Sequence, residues 1–104
     1  MRYKLVLRKM TKEDRILQRN NDLIHANMGE ETVLMSLSNG EYYGINDVGS
    51  TIWNLLENSL SVQQLIIQLT DIYGISEEQC NREIGGFLDD MEEKGLLIIE
   101  EQAS

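Results

Sequence analysis

Apolar and polar positions alternate along the front of the chain and recur at helical spacing along the back. A period of two puts neighbours on opposite faces of a strand, whereas spacings of three and four gather residues on one helix face. Tyr3 to Arg8 alternates weakly and is compatible with a strand, Met10 to Arg15 reads as a polar connection, and Ile16 to Gln18 is too short to assign. Leu23 to Ala26 reads as a strand, with a turn at Gly29-Glu30-Glu31. Thr32 to Ser38 and Glu41 to Ile45 flank Asn39-Gly40, a pair that supplies the positive φ angles of a two-residue type I′ turn. Such a turn predicts Ser38 opposite Glu41, Leu37 opposite Tyr42, Ser36 opposite Tyr43 and Leu34 opposite Ile45. One face then carries Leu34, Ser36, Tyr43 and Ile45, and the other Val33, Met35, Leu37, Tyr42 and Gly44. Both faces hold apolar groups, so one is expected against helices and the other partly covered or engaged in binding.

Three helices are predicted next. The first starts near Asn46-Asp47, either of which can cap free N–H groups, and its stripe is Val48, Ile52, Leu55 and Leu56. Trp53 stands one place off that stripe and is expected at the core edge. The second opens with Ser61 and Gln64, a capping box, buries Val62, Leu65, Ile66 and Leu69, and stops at Gly74. The third opens with Ser76 and Gln79, the same pairing, and carries Cys80, Ile84, Phe87, Leu88 and Met91 on one face before Gly95 ends it. Leu96 to Ile99 can add a final edge strand. The fold class is therefore α+β: a small antiparallel three-stranded sheet followed by three helices, in a winged helix-turn-helix-like layout.

The length of 104 residues bounds this to one domain. No apolar run approaches membrane-spanning length, and the charged start is too short for a secretory signal, so no membrane partner and a cytoplasmic location are expected. The single cysteine, Cys80, excludes an internal disulfide. Charge is distributed unevenly: the first 19 residues hold seven basic side chains against two acidic ones, +5. The other 85 hold Arg82 and Lys94 against 16 acids, −14, which repels nucleic-acid phosphate. The basic segment, residues 1–20, either folds against its own acidic body or docks elsewhere.

Enzymatic signals are sparse. His25 is the sole histidine, so metal clusters and histidine-based triads have little to build on. Cys80 lies on an apolar stripe and reads as an inert buried thiol. Gly85-Gly86 is unusual, because each glycine within a helix costs roughly 1 kcal/mol relative to alanine. The pair implies close approach of a bound chain or tight internal packing. Neither a cofactor nor a metal is expected.

The run Gly40-Glu41-Tyr42-Tyr43-Gly44-Ile45-Asn46, then Val48-Gly49 and Ile52-Trp53-Asn54-Leu55-Leu56, resembles the PqqD-like family of recognition elements for ribosomally made, modified peptides. Members carry a G-x-Y-Y-x-L-N…G…I-W-x-L-L pattern. Ser61-Val62 with Leu65, Leu69 and Tyr73 is similar to the family's second helix. Glu83-Ile84, Phe87-Leu88, Met91 and Gly95-Leu96-Leu97 are similar to its D-V…F-L…L…G-L-L ending. Ile45, Glu83 and Met91 replace the usual Leu, Asp and Leu. The likeness covers about residues 20 to 100, so a recognition domain is expected at 21–100.

The resemblance implies a non-catalytic module that binds the leader segment of a precursor peptide and hands it to separate processing enzymes. It is similar to the free-standing recognition proteins of lasso peptide biosynthesis, which serve a transglutaminase-like leader protease and a cyclase. The alternative within the family is a PqqD-type peptide chaperone for a radical peptide-modifying enzyme, and a winged-helix regulator is the alternative outside it. The family's leader adds as an antiparallel strand on a sheet edge facing the third helix, the β-augmentation mode. Carried over, this implies Glu41, Tyr42, Tyr43, Gly44 and Ile45 on the edge, with Glu83, Gly86, Phe87 and Asp90 on the helix.

Overall fold

The computed structural model describes residues 15–101; the strand expected at residues 3–8 and the connection expected at 10–15 lie outside them, except for Arg15, which opens a strand instead. The fold is α+β, with strands β1 (Arg15–Arg19), β2 (Leu23–Met28), β3 (Glu31–Ser36) and β4 (Tyr42–Ile45), helix α1 (Asp47–Leu55), strand β5 (Leu60–Ser61), helices α2 (Val62–Tyr73) and α3 (Glu77–Glu93), and strand β6 (Leu97–Glu101). Two three-stranded antiparallel sheets form, ordered β5-β1-β6 and β2-β3-β4, where the sequence predicts one. The stretch too short to assign, Ile16 to Gln18, is the middle of the first of these: Leu17 pairs with both Leu60 and Ile99 and is fully buried. Its partners lie more than 40 and more than 80 residues away, and no local pattern announces such pairing.

The hairpin faces are those predicted, but the register is not. Met35 opposes Tyr42, Leu34 opposes Tyr43, and Thr32 opposes Ile45. A type I′ turn needs positive φ at both Asn39 and Gly40, and only Gly40 adopts it, at +72°. Gly40 instead donates its N–H to Ser36 O at 2.8 Å, and Asn39 Oδ1 accepts from Glu41 N at 2.8 Å. The loop takes four residues, Leu37 to Gly40, and the strands slip by two. An even slip keeps every side chain on its face. Thr32, Leu34 and Ser36 are therefore buried, while Tyr42 stands 72% exposed.

Helix ends follow the sequence closely. Ser61 and Gln64 form the full reciprocal box at α2. Ser76 caps Gln79 N at α3, but the Gln79 side chain turns to Glu83 rather than back to Ser76, so that box is half made. At Gly95, φ +73°, Leu96 N bonds Met91 O at 2.9 Å and Gly95 N bonds Glu92 O at 3.0 Å, a Schellman ending that aims the chain into β6.

α1 departs from its predicted stripe. Val48 is exposed, and Trp53 is 1% exposed rather than at the core edge. The buried arc runs through Gly49, Ile52, Trp53 and Leu56, so Ile52 and Leu56 are buried as predicted while Gly49 and Trp53 take the places expected of Val48 and Leu55. A glycine adds nothing to an apolar pattern, so the arc was hidden. Arg19 stacks 4.5 Å over the Trp53 ring, its guanidinium donates to Trp53 O, and His25 meets the ring edge-on at 6.0 Å. Burial pulls the Arg19 guanidinium below its usual value, with Glu57 opposing the shift. A buried hydroxyl pair, Thr32 to Ser50 at 2.8 Å, fastens β3 to α1. No helix among the described residues is long and apolar enough to cross a membrane.

Two outcomes test this arrangement. Leu17→Ala should cost about 2–5 kcal/mol in denaturant unfolding, the range for a fully buried leucine. A cost below 1 kcal/mol would place β1 outside the core. Burial, aided by the nearby charges of Glu83 and Glu77, pushes the Cys80 thiol up, so it stays protonated at neutral pH. A disulfide reagent at pH 7.5 should label Cys80 slowly in the native protein and completely after unfolding.

Candidate peptide-binding groove

β4 is the outer strand of its sheet, and among the described residues no strand pairs with its other edge. Ser36 N donates to Glu41 O at 3.0 Å, which sets the alternation of the ladder. Residues 41, 43 and 45 turn their backbone groups toward β3, and Tyr42 and Gly44 turn theirs outward. The side chains alternate the other way across the sheet: Tyr43 and Ile45 point to the helices and are half-buried, while Tyr42 points away.

α3 lies opposite that edge because its stripe of Cys80, Ile84, Leu88 and Met91 is locked into the core. The neighbouring helix face carries Glu83, Phe87, Asp90 and Lys94, at offsets of four, seven and eleven. Between this face and β4–α1 runs a groove with two chambers. One, about 420 Å³, is lined mainly by apolar groups, among them Val48, Ile52, Leu69, Ile75, Ile84 and Phe87, with Glu83 and Tyr73 also on its walls. The other, about 320 Å³, is bounded by Tyr43, Gly44, Ile45, Phe87, Asp90 and Lys94. Val48 is exposed because it faces the first chamber.

The polar groups of the groove are paired with one another. Tyr43 donates its hydroxyl proton to Glu41 at 2.5 Å, and that bond, with burial and the Glu41 charge, raises the phenol above its usual value. Lys94 pairs with Asp90 at 2.8 Å, which raises its ammonium above the usual range. Such exposed pairs are worth little in stability and exchange readily for a ligand's charges. The described residues carry Arg15, Arg19, Arg82 and Lys94 against 16 acidic side chains, so the surroundings are strongly negative. No group of three or more His, Cys, Asp or Glu side chains among them is placed to hold a metal ion.

The structure brings Tyr43, Gly44, Ile45, Phe87 and Asp90 together around one chamber and Glu83 with Phe87 around the other. Glu41 sits just before β4 and reaches the groove through Tyr43. Tyr42 offers backbone groups there but not its side chain. Gly86 lines neither chamber: it projects about 100° round the helix from Phe87. A Cβ at Gly85 or Gly86 would meet nothing within 4 Å among the described residues, so packing among those residues does not explain the pair. The glycine that does permit close approach is Gly49. A Cβ there would stand 3.2 Å from Phe87 Cζ and 3.2 Å from Ile45 Cβ. Its signal was available, as a glycine within the first turn of a predicted helix directly after a strand. Asn46, which caps Gly49 N at 2.9 Å, and Lys94 are further groove residues that sequence reasoning did not single out.

A search of curated proteins finds no match. Among solved structures, the chain is similar to TbiB1 in complex with the TbiA(beta) leader peptide, with 28% identity, 84% of this chain and 99% of that chain covered, and a TM-score of 0.71. The family model for coenzyme PQQ synthesis protein D (PqqD) matches residues 31–97, which take in β3, β4, all three helices and the start of β6. More than half of the chain is thus accounted for by one family, and the chain belongs to the PqqD family.

Proposed function

We propose that this protein binds the leader segment of a ribosomally made precursor peptide as an added strand on β4 and presents it to separate processing enzymes. The observation that carries the reading is the pairing of two features. The outward N–H and C=O groups of Tyr42 and Gly44 form an open edge, and the groove beside it supplies side-chain chambers. Main-chain pairing gives such a complex its affinity and the chambers its selectivity. The likeness to a solved complex with a leader peptide supports the same ligand class.

Glu41, Tyr42, Tyr43, Gly44 and Ile45 form the edge side of the proposed site, and Glu83, Phe87 and Asp90 the helix side, with Gly86 at its rim. The recognition unit includes β1 as well as residues 21–100, since β1 is the middle strand of its sheet. The order α1–β5–α2–α3–β6 is, on this reading, a winged helix-turn-helix-like layout put to use for a peptide rather than for nucleic acid. On this reading the protein has no catalytic step of its own, works in the cytoplasm, and serves a leader protease and a cyclase of a lasso-type pathway. A radical peptide-modifying enzyme is the alternative client.

Titration calorimetry with a cognate precursor's leader peptide tests the reading. Gly44→Pro is the informative variant. It removes an N–H that points away from β3, and proline is tolerated on an edge strand whose N–H faces solvent. Leader affinity should fall about tenfold, the worth of roughly one lost hydrogen bond, while thermal melting stays near wild type. Wild-type affinity in a folded Gly44→Pro protein would remove strand addition at β4. No binding by the unaltered protein at high micromolar leader would remove the function itself.

A further inference from the structure

Phe87 borders both chambers of the groove, and so does Asn46 at the start of α1. The ring reaches from α3 across to α1, where its tip comes so close to Gly49 that a Cβ there would be only 3.2 Å from Cζ. The same Cβ would stand 3.2 Å from Ile45 Cβ and 3.3 Å from Asn46 Oδ1, so a larger residue at 49 presses on the ring, on the end of β4 and on the helix cap together, and the ring, whose tip is the farthest of the three from its own backbone, borders both chambers. We propose that Phe87, seated on Gly49, is a crossbar that splits the groove into two side-chain chambers of different chemistry, and that this pair of residues sets which side chains a bound peptide can present. The inference rests on the peptide-binding reading and adds to it the class of sequence that the groove takes.

The two chambers differ in what they accept. Val48, Ile52, Leu69, Ile75 and Ile84 make the α1-side chamber a place for a large uncharged apolar side chain. The chamber near the end of α3 combines Met91 and Leu96 with Asp90, Lys94 and Tyr43. It suits a side chain with an apolar stem and a polar end. Only alternate residues of an added strand face α3, namely those on the Tyr43 and Ile45 side of the sheet. A strand antiparallel to β4 reaches the α1-side chamber, beyond Ile45, before it passes Tyr43. The bound peptide therefore places its large apolar residue first and its amphipathic residue an even number of positions later, with each two-residue step spanning about 6.7 Å.

Selection from a displayed library of random peptides, read by sequencing, tests this on the full chain. Wild type should enrich peptides with an apolar residue followed at even spacing by an amphipathic one. Phe87→Leu opens the partition and should shift the first position toward larger residues, changing the Trp-to-Leu ratio there by about tenfold or more, since one methylene in an apolar pocket discriminates by roughly 10–200-fold. Gly49→Ala pushes the ring outward and should shift the same position toward smaller residues. Should Phe87→Leu melt early, Phe87→Met, which conserves volume with a flexible chain, takes its place. Variants that melt like wild type and keep its preferences at every position overturn the crossbar. A Gly49→Ala protein that loses thermal stability without a change of preference also overturns it, because Gly49 then serves packing alone. Enrichment of peptides by wild type with no even-spaced pattern overturns the crossbar and leaves peptide binding standing. A wild-type protein that enriches no peptide removes both.

Discussion

β4 has to remain a strand although, among the described residues, only one of its edges is paired. Four residues hydrogen-bonded on one side to β3 are not stable alone, and the remaining fold supplies what is missing. Tyr43 and Ile45 pack inward against the core, the Ser36–Glu41 bond anchors the strand's entry, and Asn46 caps α1 immediately after its exit. The strand is thus clamped at both ends and on one face, and no other described strand pairs with its outer backbone groups. α3 faces it at a distance fixed by two contacts of different kinds. The stripe from Cys80 to Met91 is committed to the core, and Phe87 is stopped by Gly49. A groove persists because neither element can close the gap without breaking one of these contacts.

The parts of the fold that sequence pattern conveyed are those governed by local periodicity. Helix caps at Asn46, Ser61 and Ser76 and the endings at Gly74 and Gly95 each depend on residues within one turn, and each is found where the spacing predicts. The hairpin shows the limit. Asn39-Gly40 marks a turn, but loop length depends on which carbonyl captures the Gly40 N–H, and Ser36 O does. Face assignment survived because it depends on parity alone. β1 was out of reach for a different reason: a five-residue strand, Arg15–Arg19, is defined by β5 and β6, both far along the chain.

The groove was less legible. Spacing put Phe87 on the core stripe of α3, and only the family likeness named Glu83, Phe87 and Asp90 opposite β4; in the structure Phe87 stands between the core and the two chambers. Glycines were where pattern misled. A glycine within a helix states that a side chain is missing, not what occupies the space. At Gly85 and Gly86 none of the described residues does, while at Gly49 a phenyl ring and an isoleucine do. Only three-dimensional placement separates the two cases. It also explains why Val48, apolar and in a helix, is exposed: the surface it faces is the open groove.

Division of labour within the groove fits a protein that holds a peptide for others to process. Backbone groups recognise any extended chain, so the β4 edge alone would bind without selectivity. In the proposed complex the chambers would add selectivity at a few positions and leave the rest of the peptide free. Two titrating groups nearby, Cys80 and Tyr43, are pushed away from reactivity. Burial raises the Cys80 thiol, and the bond to Glu41 raises the Tyr43 phenol, so at neutral pH neither is poised as a nucleophile or base. The paired charges, Lys94 with Asp90, can be re-partnered by a ligand at little cost because they are exposed. The acidic surround disfavours polyanions and favours a neutral or basic peptide, and it acts over about one Debye length at physiological salt, far enough to bias encounter before any chamber is filled.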